Sequence, residues 1–400
     1  MRFGVVTRGL RIPITVPALQ YLQPPTTKAK RYAAVIAGAY MLGTLVLFIQ
    51  AVLTTKYNNF TIFSHSWQHL SEHLPLYNLY PDEYFDYYLY HPTFPILFLP
   101  FAILPSHAGL LLWLLFNSAM VLYAIYQLPM DWRKKNLMSG LLLIEIMNAI
   151  QSSQSNPLMV ALMLLTLVQF EKKNVKQAAL FTCILFFIKG YGAIIGILFL
   201  FYGDKKKFLK YCFAFGIAGS LLPLLVISPM ELIHAYKDWF HLISSATIKE
   251  DGSLFGMIHA MRHEPYLIST GMDKIVLVLA VIGLLTAIIC TAVAGTQQSR
   301  FTLAAYLLIW IVIFNQSTES PTYAIAVTGA VMALVMCSQK FIKWFLLGLL
   351  IFVASLAPTD LVPTSINHLA VSFQLKALPC LIILLFLQST LFFHRRQVIG

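Results

Sequence analysis

Apolar stretches of membrane-spanning length recur along this 400-residue chain and constrain its fold more than any other feature. Hydrophobic residues make up 58% of the sequence and charged residues only 11%, whereas charged residues average about 25% in soluble domains. The first stretch, residues 32–53, is long enough to cross roughly 30 Å of hydrocarbon as one helix. Further apolar segments lie near residues 108–127, 136–150, 157–170, 177–188, 190–202, 208–227, 274–295, 301–314, 322–337, 341–356 and 374–393. We therefore predict an all-α polytopic membrane protein with about twelve transmembrane helices.

A shorter apolar segment, residues 93–105, interrupts this series and contains Pro95 and Pro100. It is too short to span the membrane, and its prolines free backbone groups that must be covered by protein or face a cavity. We predict that it is re-entrant or juxtamembrane.

The basic residues predict the orientation of the chain. With both termini in the cytoplasm, most of the 28 lysines and arginines fall on the inner side and most of the 16 acidic residues on the other side, as the positive-inside rule expects. The net charge of +12 then reflects topology and contact with anionic membrane lipids rather than nucleic-acid binding. We predict a basic cytoplasmic arm at residues 1–31 and a single transmembrane domain at residues 32–394.

Two larger loops, residues 54–92 and 228–273, are predicted on the outer side. The first is rich in tyrosine and holds four carboxylates and four histidines. The shorter polar segments assigned to the outer side add to the same face. This pattern indicates a site that is open to the outside or to a cavity reached from the outer leaflet.

Two carboxylates are candidates for a general base. Asp86 lies among tyrosines, and an aromatic, apolar surrounding can raise a carboxyl pKa into the range that suits a base; the alternative is a solvated loop with aromatics at the membrane interface. Glu319 lies at the boundary of a predicted span, just before Pro321. There it could act in the site or cap the following helix.

Lys189 lies between two short apolar segments, where a cation is costly unless a carboxylate or a phosphate neutralises it. A bound phosphate fits this position, and a structural ion pair is the alternative. Gln154 and Asn156 begin a predicted span and could hydrogen bond sugar hydroxyls or cap a helix end. Glu145, within a span, is expected to make a buried hydrogen bond.

His65, His69 and His73 are spaced four residues apart, so that one helix would carry them on a single face. Such a face could hold a metal, but no carboxylate is fixed among them by spacing. An amphipathic surface helix is the favoured interpretation, and we predict no metal and no cofactor.

Several motifs together resemble glycosyltransferase family 87. The segments NNFTIFSHSWQHL and PLYNLYPDEYFDYYLYHPTFPILFLPFAILP look like the first outer loop of that family. Further matching segments follow in the order of Bacteroidetes-type members, over about residues 57–380. They are QSNPLMVALMLL, FFIKGYG, FNQSTESPTYAIAVTG, and APTDLVP with LKALP.

The resemblance implies a GT-C-like fold in the bacterial inner membrane with an active site facing the periplasm. It implies transfer, with inversion, of a hexose, mannose being the expected one, from a polyprenyl-phosphate carrier to a lipid-linked or envelope glycan. A base must reach the acceptor proton, and a cation or oriented dipoles must stabilise the departing phosphate. Lys189 suits the phosphate. The other residues expected to bind donor or acceptor are Asn59, Tyr90, His91, Gln154, Asn156, Gln316 and Asp360.

One position departs from the family pattern. The family usually has an aspartate at the start of the first outer loop, and that residue is taken as the base. The matching residue here is Asn59, which cannot act as a base. Either the base has moved, with Asp86 and then Glu319 as candidates, or the chemistry has changed or been lost.

A transporter or flippase of a lipid-linked saccharide is the alternative function, with the same carboxylates gating a path. Transporters often carry internal repeats and charges at mid-membrane. Here the charges concentrate on one face and no repeat is evident, which favours the enzyme. A non-catalytic scaffold that keeps the fold is a third alternative.

Overall fold

The computed structural model describes residues 24–245, 252–264, 271–316 and 318–399. It is all-helical, with 79% helix and no β-strand in these residues. The predicted all-α class is therefore confirmed. The α-helices of the described part are α1 (Thr27–Thr54), α2 (Asn58–Ser71), α3 (Phe94–Ala102), α4 (Ser106–Gln127), α5 (Trp132–Gln151), α6 (Asn156–Glu171), α7 (Val175–Ile188), α8 (Lys205–Leu221), α9 (Pro229–Ser245), α10 (Leu254–Met261), α11 (Gly271–Ala294), α12 (Gln297–Ile313), α13 (Tyr323–Met336), α14 (Lys340–Leu350), α15 (Thr364–Ser372) and α16 (Ala377–Ile399).

Three 3₁₀-helical segments and one π-helix complete the secondary structure of the described residues. The 3₁₀ segments are Gly190–Phe201, Leu222–Leu225 and Ser320–Thr322, and a π-helix spans Ile351–Leu356. Mid-chain departures from α geometry of this kind are frequent at functional positions. The longest of them directly follows Lys189.

By length and composition, four helical segments of the described residues can cross a membrane: α1, α4, α8 extended to Leu225, and α11. Helix α15 and the first part of α16, bent by 61°, form a fifth if they act as one span. Several other apolar helices, such as α6 and α7, are shorter than the roughly 20 residues that a straight span needs. A membrane protein is thus supported, and the number of about twelve crossings stays a prediction.

The helices divide into a buried core and an apolar outer layer. Every residue of α13 is buried, and α6 and α12 are almost as enclosed. By contrast, α1, α8 and α11 expose large apolar side chains, among them Leu42, Phe213 and Leu279. A helix that is apolar all round lies inside a bundle or in lipid, so the second group forms the lipid-facing wall.

Helix α1 begins within the predicted N-terminal arm. The Thr26 side chain accepts a hydrogen bond from the Ala29 amide, which satisfies a free N–H of the first turn. The helix therefore starts at Thr27, ahead of the apolar stretch. Residues 1–23 of the predicted arm lie outside the described residues.

The two large loops lie at the same end of the bundle, which we call the loop face. It comprises residues 54–93, 152–156, 222–245, 252–264 and 314–322. Its two loops touch where Trp239 Nε1 donates to the Leu89 carbonyl at 3.4 Å and where His73 Nδ1 lies 3.0 Å from Glu231 Oε1. Both loops contain helix, α2 in the first and α9 and α10 in the second. Residues 246–251 and 265–270 of the second loop lie outside the described part.

The predicted re-entrant segment is the nine-residue helix α3. Phe98 in α3 packs on Phe63 of α2, with ring centroids 5.3 Å apart, and on Trp113 of α4 at 5.0 Å. These aromatic contacts pack α3 against α2 and α4; Pro95 is buried, whereas Pro100 is exposed.

The expectation that His65, His69 and His73 share one helix face is wrong for His73. Helix α2 ends at Ser71, and His73 has a left-handed φ of 60°. His69 Nε2 instead contacts Glu83 Oε2 at 2.7 Å. No group of three His, Cys, Asp or Glu residues in the described part is placed to hold a metal ion.

Candidate active site

The turn between α5 and α6, residues 152–155, is the centre of the candidate site. Ser153 adopts a left-handed φ of 53°. The turn is held by Trp113 Nε1, which donates to the Ser153 carbonyl at 2.9 Å, and by Asn59 Nδ2, which donates to the Ser152 carbonyl at 2.9 Å. These bonds present Gln154 and Asn156, both buried, at the start of α6.

Lys189 reaches this turn from the end of α7. Its extended backbone, with φ −142° and ψ 112°, ends the helix. Its Nζ donates to Gln154 Oε1 at 3.4 Å and to Asn156 Oδ1 at 3.3 Å. The same ammonium lies 5.4 Å from the centre of the Tyr90 ring, a cation–π distance.

All of these partners are neutral. Within the described residues no carboxylate makes an ion pair with Lys189. The structural ion pair considered from the sequence is therefore absent from the described residues. A half-buried cation with only neutral partners is costly. The arrangement is suited to bind an anion.

Glu319 is joined to Lys189 through Gln154. Gln154 Nε2 donates to Glu319 Oε2 at 2.5 Å, while Asn156 Nδ2 donates to Gln154 Oε1 at 2.6 Å. The Glu319 side chain makes no capping hydrogen bond to the 3₁₀ turn that follows, so the capping alternative is wrong. Glu319 is exposed, and its carboxylate is accessible to an incoming hydroxyl.

Tyrosines border the Lys189 ammonium. The Tyr90 hydroxyl lies 3.1 Å from Ser155 Oγ, and burial raises the pKa of this hydroxyl well above its usual value. Tyr90 therefore stays neutral. Tyr191 interacts with Thr322 and lies within electrostatic range of Lys189 and Glu319.

A buried ion pair lies behind Glu319. Lys376 Nζ donates to Glu145 Oε1 at 2.9 Å and to the carbonyl and hydroxyl oxygens of Ser320, each at 3.2 Å. Glu145 is fully buried. The expected buried hydrogen bond of Glu145 is therefore present, and it anchors the segment that carries Glu319.

Asp86 is held within its own loop. Its Oδ1 accepts the Tyr87 amide at 2.8 Å, and its φ of 94° is unfavourable for a residue with a Cβ. Asn58 fixes the preceding residue, because its amide exchanges two hydrogen bonds with the Phe85 backbone, at 2.5 and 2.9 Å. The role of Asp86 stays a prediction.

The remaining predicted residues lie around this centre. Asn59 supports the turn through Ser152 rather than facing Lys189. His91 packs on Phe187 and Trp239 with ring centroids 4.9 Å away, and burial lowers its pKa to about 4. Gln316 is half-buried after α12, and Asp360 is exposed in the turn before α15. Their predicted binding roles stay untested.

The structure thus brings together Lys189, Gln154, Asn156, Glu319 and Tyr90. Sequence reasoning missed Ser155, Tyr191 and Lys376. A signal for Lys376 was present, because Glu145 and Lys376 each stand alone within or beside apolar segments and such charges tend to pair. Ser155 lies between the predicted site residues Gln154 and Asn156, and Tyr191 lies two residues after Lys189, but no sequence pattern marked either of them as a site residue.

Comparison with known proteins gives one family. A family model described as glycosyltransferase family 87 matches residues 88–318. The matched region holds Tyr90, Gln154, Asn156 and Lys189; it ends one residue before Glu319 and begins after Asp86. No curated protein matches the chain.

Proposed function

The chain belongs to glycosyltransferase family 87 and is a glycosyltransferase, and on that premise we propose that it moves a hexose, mannose being the expected one, from a polyprenyl-phosphate carrier to a lipid-linked or envelope glycan. The observation that carries the proposal is the pairing of Lys189 and Glu319 through Gln154. Lys189 is a cation with neutral partners, and Glu319 is an accessible carboxylate. Transfer from a lipid phosphate needs a base for the acceptor hydroxyl and a group that stabilises the leaving phosphate, and these two residues can supply them.

In the proposed reaction, the acceptor hydroxyl oxygen forms a bond to the anomeric carbon while the bond from that carbon to the phosphate oxygen breaks. Glu319 takes the hydroxyl proton as general base. Lys189 stabilises the negative charge on the departing lipid phosphate. Because attack and departure occur on opposite sides of the anomeric carbon, the configuration inverts.

Neutral groups complete the site. Gln154 fixes the separation of the base and the phosphate-binding cation, since its two ends bond to both. Asn156 orients Gln154 by donating to the same oxygen that Lys189 approaches. The buried Tyr90 ring covers the ammonium and is itself fixed by stacking on Phe94, with ring centroids 4.6 Å apart.

Glu319 is the preferred base because it belongs to this network, whereas Asp86 is held by its own loop. Asn59 cannot replace the aspartate of the family pattern, and its amide instead fixes the turn that carries Gln154. The relocation of the base to Glu319 is accordingly part of the proposal.

The membrane arrangement is proposed as well. The proposed arrangement has about twelve crossings, if the short helices and the 3₁₀ segment Gly190–Phe201 are counted. The loop face then faces the periplasm of a bacterial inner membrane, and both termini lie in the cytoplasm. The support is the charge distribution, because lysines and arginines are concentrated at the end opposite the loop face.

The test is transfer by purified protein from radiolabelled polyprenyl-phosphate-mannose to a native membrane lipid extract, repeated with glucose and arabinose donors. Lys189→Met should lose transfer and weaken donor binding, and Lys189→Arg should retain part of both. Lys56→Met, which removes an exposed loop-face lysine, is the matched control.

Donor binding without transfer from any of the three donors would contradict the proposed enzyme reaction. It would favour an altered family member or movement of the intact donor across the bilayer. Transfer that survives Lys189→Met unchanged would contradict the phosphate role alone.

A further inference from the structure

Two adjoining cavities lie at the end of the bundle opposite the loop face. They measure about 510 and 640 Å³ and share Tyr202, Gly203 and Arg300 in their walls. Tyr202 directly follows the 3₁₀ segment Gly190–Phe201, whose other end meets Lys189. A twelve-residue 3₁₀ segment is roughly 24 Å long, so these cavities are separate from the candidate active site.

A fixed polar cluster shapes this region. Glu171 accepts hydrogen bonds from the Tyr202 hydroxyl at 2.5 Å, from Gln297 Nε2 at 2.8 Å and from Arg300 Nε at 3.0 Å. The Arg300 guanidinium also lies 4.9 Å from the centre of the Tyr202 ring. Glu171 therefore holds Arg300 in place, and the guanidinium keeps further N–H donors beyond those used on Glu171.

The charge balance of the cavity walls is positive. Lys173 lines the smaller cavity and Lys205 the larger one, and both are exposed. Of the two acids in the walls, Glu171 is paired with Arg300 and Asp204 lies 3.1 Å from Lys207. Two lysines remain without a paired acid among these lining residues, and they favour an anionic ligand.

The larger cavity is bordered by two of the lipid-facing helices, α8 and α11. Lys205 begins α8 and Ala292 lies near the end of α11, and both line it. Helix α8 packs mainly on α7, whereas α11 packs on α12 and α16. Farther along the same helices, large apolar side chains are exposed. They are Leu209 and Phe213 on α8 and Leu285 and Ile289 on α11.

We propose that these two cavities, which we call the basal site, bind the phosphate headgroup of an anionic glycerophospholipid from the adjoining leaflet. Lys205 and Arg300 contact the phosphate, and the acyl chains lie along the exposed apolar side chains of α8 and α11. Cations at the ends of two membrane helices with apolar walls above them match a molecule that has an anionic head and hydrocarbon tails. The proposed transfer reaction does not require this site.

The test is a titration of delipidated full-length protein in detergent with phosphatidylglycerol, followed by native mass spectrometry of the bound lipid. The variant Lys205→Gln should weaken binding about fivefold. Lys206→Gln is the matched control, because it removes the same charge from the next, equally exposed residue, which does not line the cavities. Ala292→Trp, which fills the larger cavity, should abolish tight binding.

Equal weakening by Lys205→Gln and Lys206→Gln would show a general surface attraction and overturn the proposal, as would unchanged binding in Lys205→Gln. Equal affinity for zwitterionic phosphatidylcholine would overturn it too. If Ala292→Trp fails to fold, the comparison of the two lysine variants decides. The readout is lipid binding, so its outcome does not depend on transfer activity.

Discussion

Lys189 and Glu319 bond to opposite ends of one amide group, the side chain of Gln154. Lys189 Nζ lies 3.4 Å from Gln154 Oε1, and Gln154 Nε2 lies 2.5 Å from Glu319 Oε2. A neutral amide thus links a cation to a carboxylate and keeps them from collapsing into an ion pair. In the proposed reaction this arrangement keeps the base and the phosphate-binding cation on either side of Gln154.

Replacing Gln154 with methionine tests this link. The variant loses both hydrogen bonds while keeping similar volume, so Lys189 and Glu319 are no longer held at a fixed separation. We expect kcat/KM for transfer to fall about a hundredfold, the cost of misplacing catalytic groups by about 1 Å. Gln151→Met, at an exposed position at the end of α5 just before this turn, is the control. Similar activity in both variants would contradict the role of Gln154.

The Glu145–Lys376 pair should be important for stability. Removing one partner leaves a buried charge uncompensated, which costs about 3–5 kcal/mol, so Lys376→Met should lower the melting temperature strongly. The double variant Glu145→Leu with Lys376→Met should recover much of the loss, because no buried charge remains.

The exposed pair of Lys207 and Asp204 provides the comparison for this prediction. Lys207→Met should cost less than about 1 kcal/mol. A melting temperature as high in Lys376→Met as in Lys207→Met would show that the buried pair does not stabilise the fold.

His91 should make stability depend on pH. Burial lowers its pKa from 6.5 to about 4, so between these values the unfolded chain binds more protons than the folded one. The contribution of neutral His91 to the free energy of unfolding is therefore complete above pH 6.5. This contribution, up to about 3 kcal/mol, is lost as the pH falls toward 4.

The variant His91→Asn isolates this effect, because the asparagine oxygen can replace Nδ1 as acceptor of the Thr93 amide but does not titrate. Melting temperatures at pH 7.5 and 4.5 should differ less in His91→Asn than in the wild type. His107→Asn, at an exposed histidine, should leave the difference unchanged. Equal differences in His91→Asn and the wild type would contradict the burial of a neutral His91.

Asn59→Asp restores the residue type that the family pattern has at this position. Here it removes the donor to the Ser152 carbonyl and puts a carboxylate beside a carbonyl oxygen. We expect a loss of about 1–3 kcal/mol and weaker transfer, measured by melting temperature and by the transfer assay. Asn78→Asp, at an exposed position of the same loop, should change neither. Faster transfer in Asn59→Asp would mean that the base belongs at residue 59.

The sequence predicted the class of fold and much of the site. The distribution of charged residues along the chain identified the loop face. Lys189 was identified because a lysine between two apolar segments is costly without an anionic partner. Both arguments depend on the free-energy cost of moving a charge from water into an apolar environment. Charged residues and apolar segments can be located directly in the sequence. The bond between Gln154 and Glu319 joins residues far apart in the chain, and no local pattern encodes such a contact.

Other features depended on where helices end. Four-residue spacing aligned three histidines, but α2 stops at Ser71 and excludes His73. Glu319 had the position of a helix cap, yet its side chain accepts a hydrogen bond from Gln154 instead. In the case of Glu319, a tertiary hydrogen bond prevailed over the local capping preference.

The central claim is that Glu319 is the base, and the most direct test compares transfer by Glu319→Gln and Asp86→Asn at matched stability. With radiolabelled polyprenyl-phosphate-mannose as donor, Glu319→Gln should lose about 10²- to 10⁴-fold in kcat and still bind donor. Asp82→Asn, at an exposed carboxylate of the first loop, and Asp86→Asn should retain most activity. Loss of transfer in Asp86→Asn with activity kept in Glu319→Gln would contradict the account and place the base in the first loop.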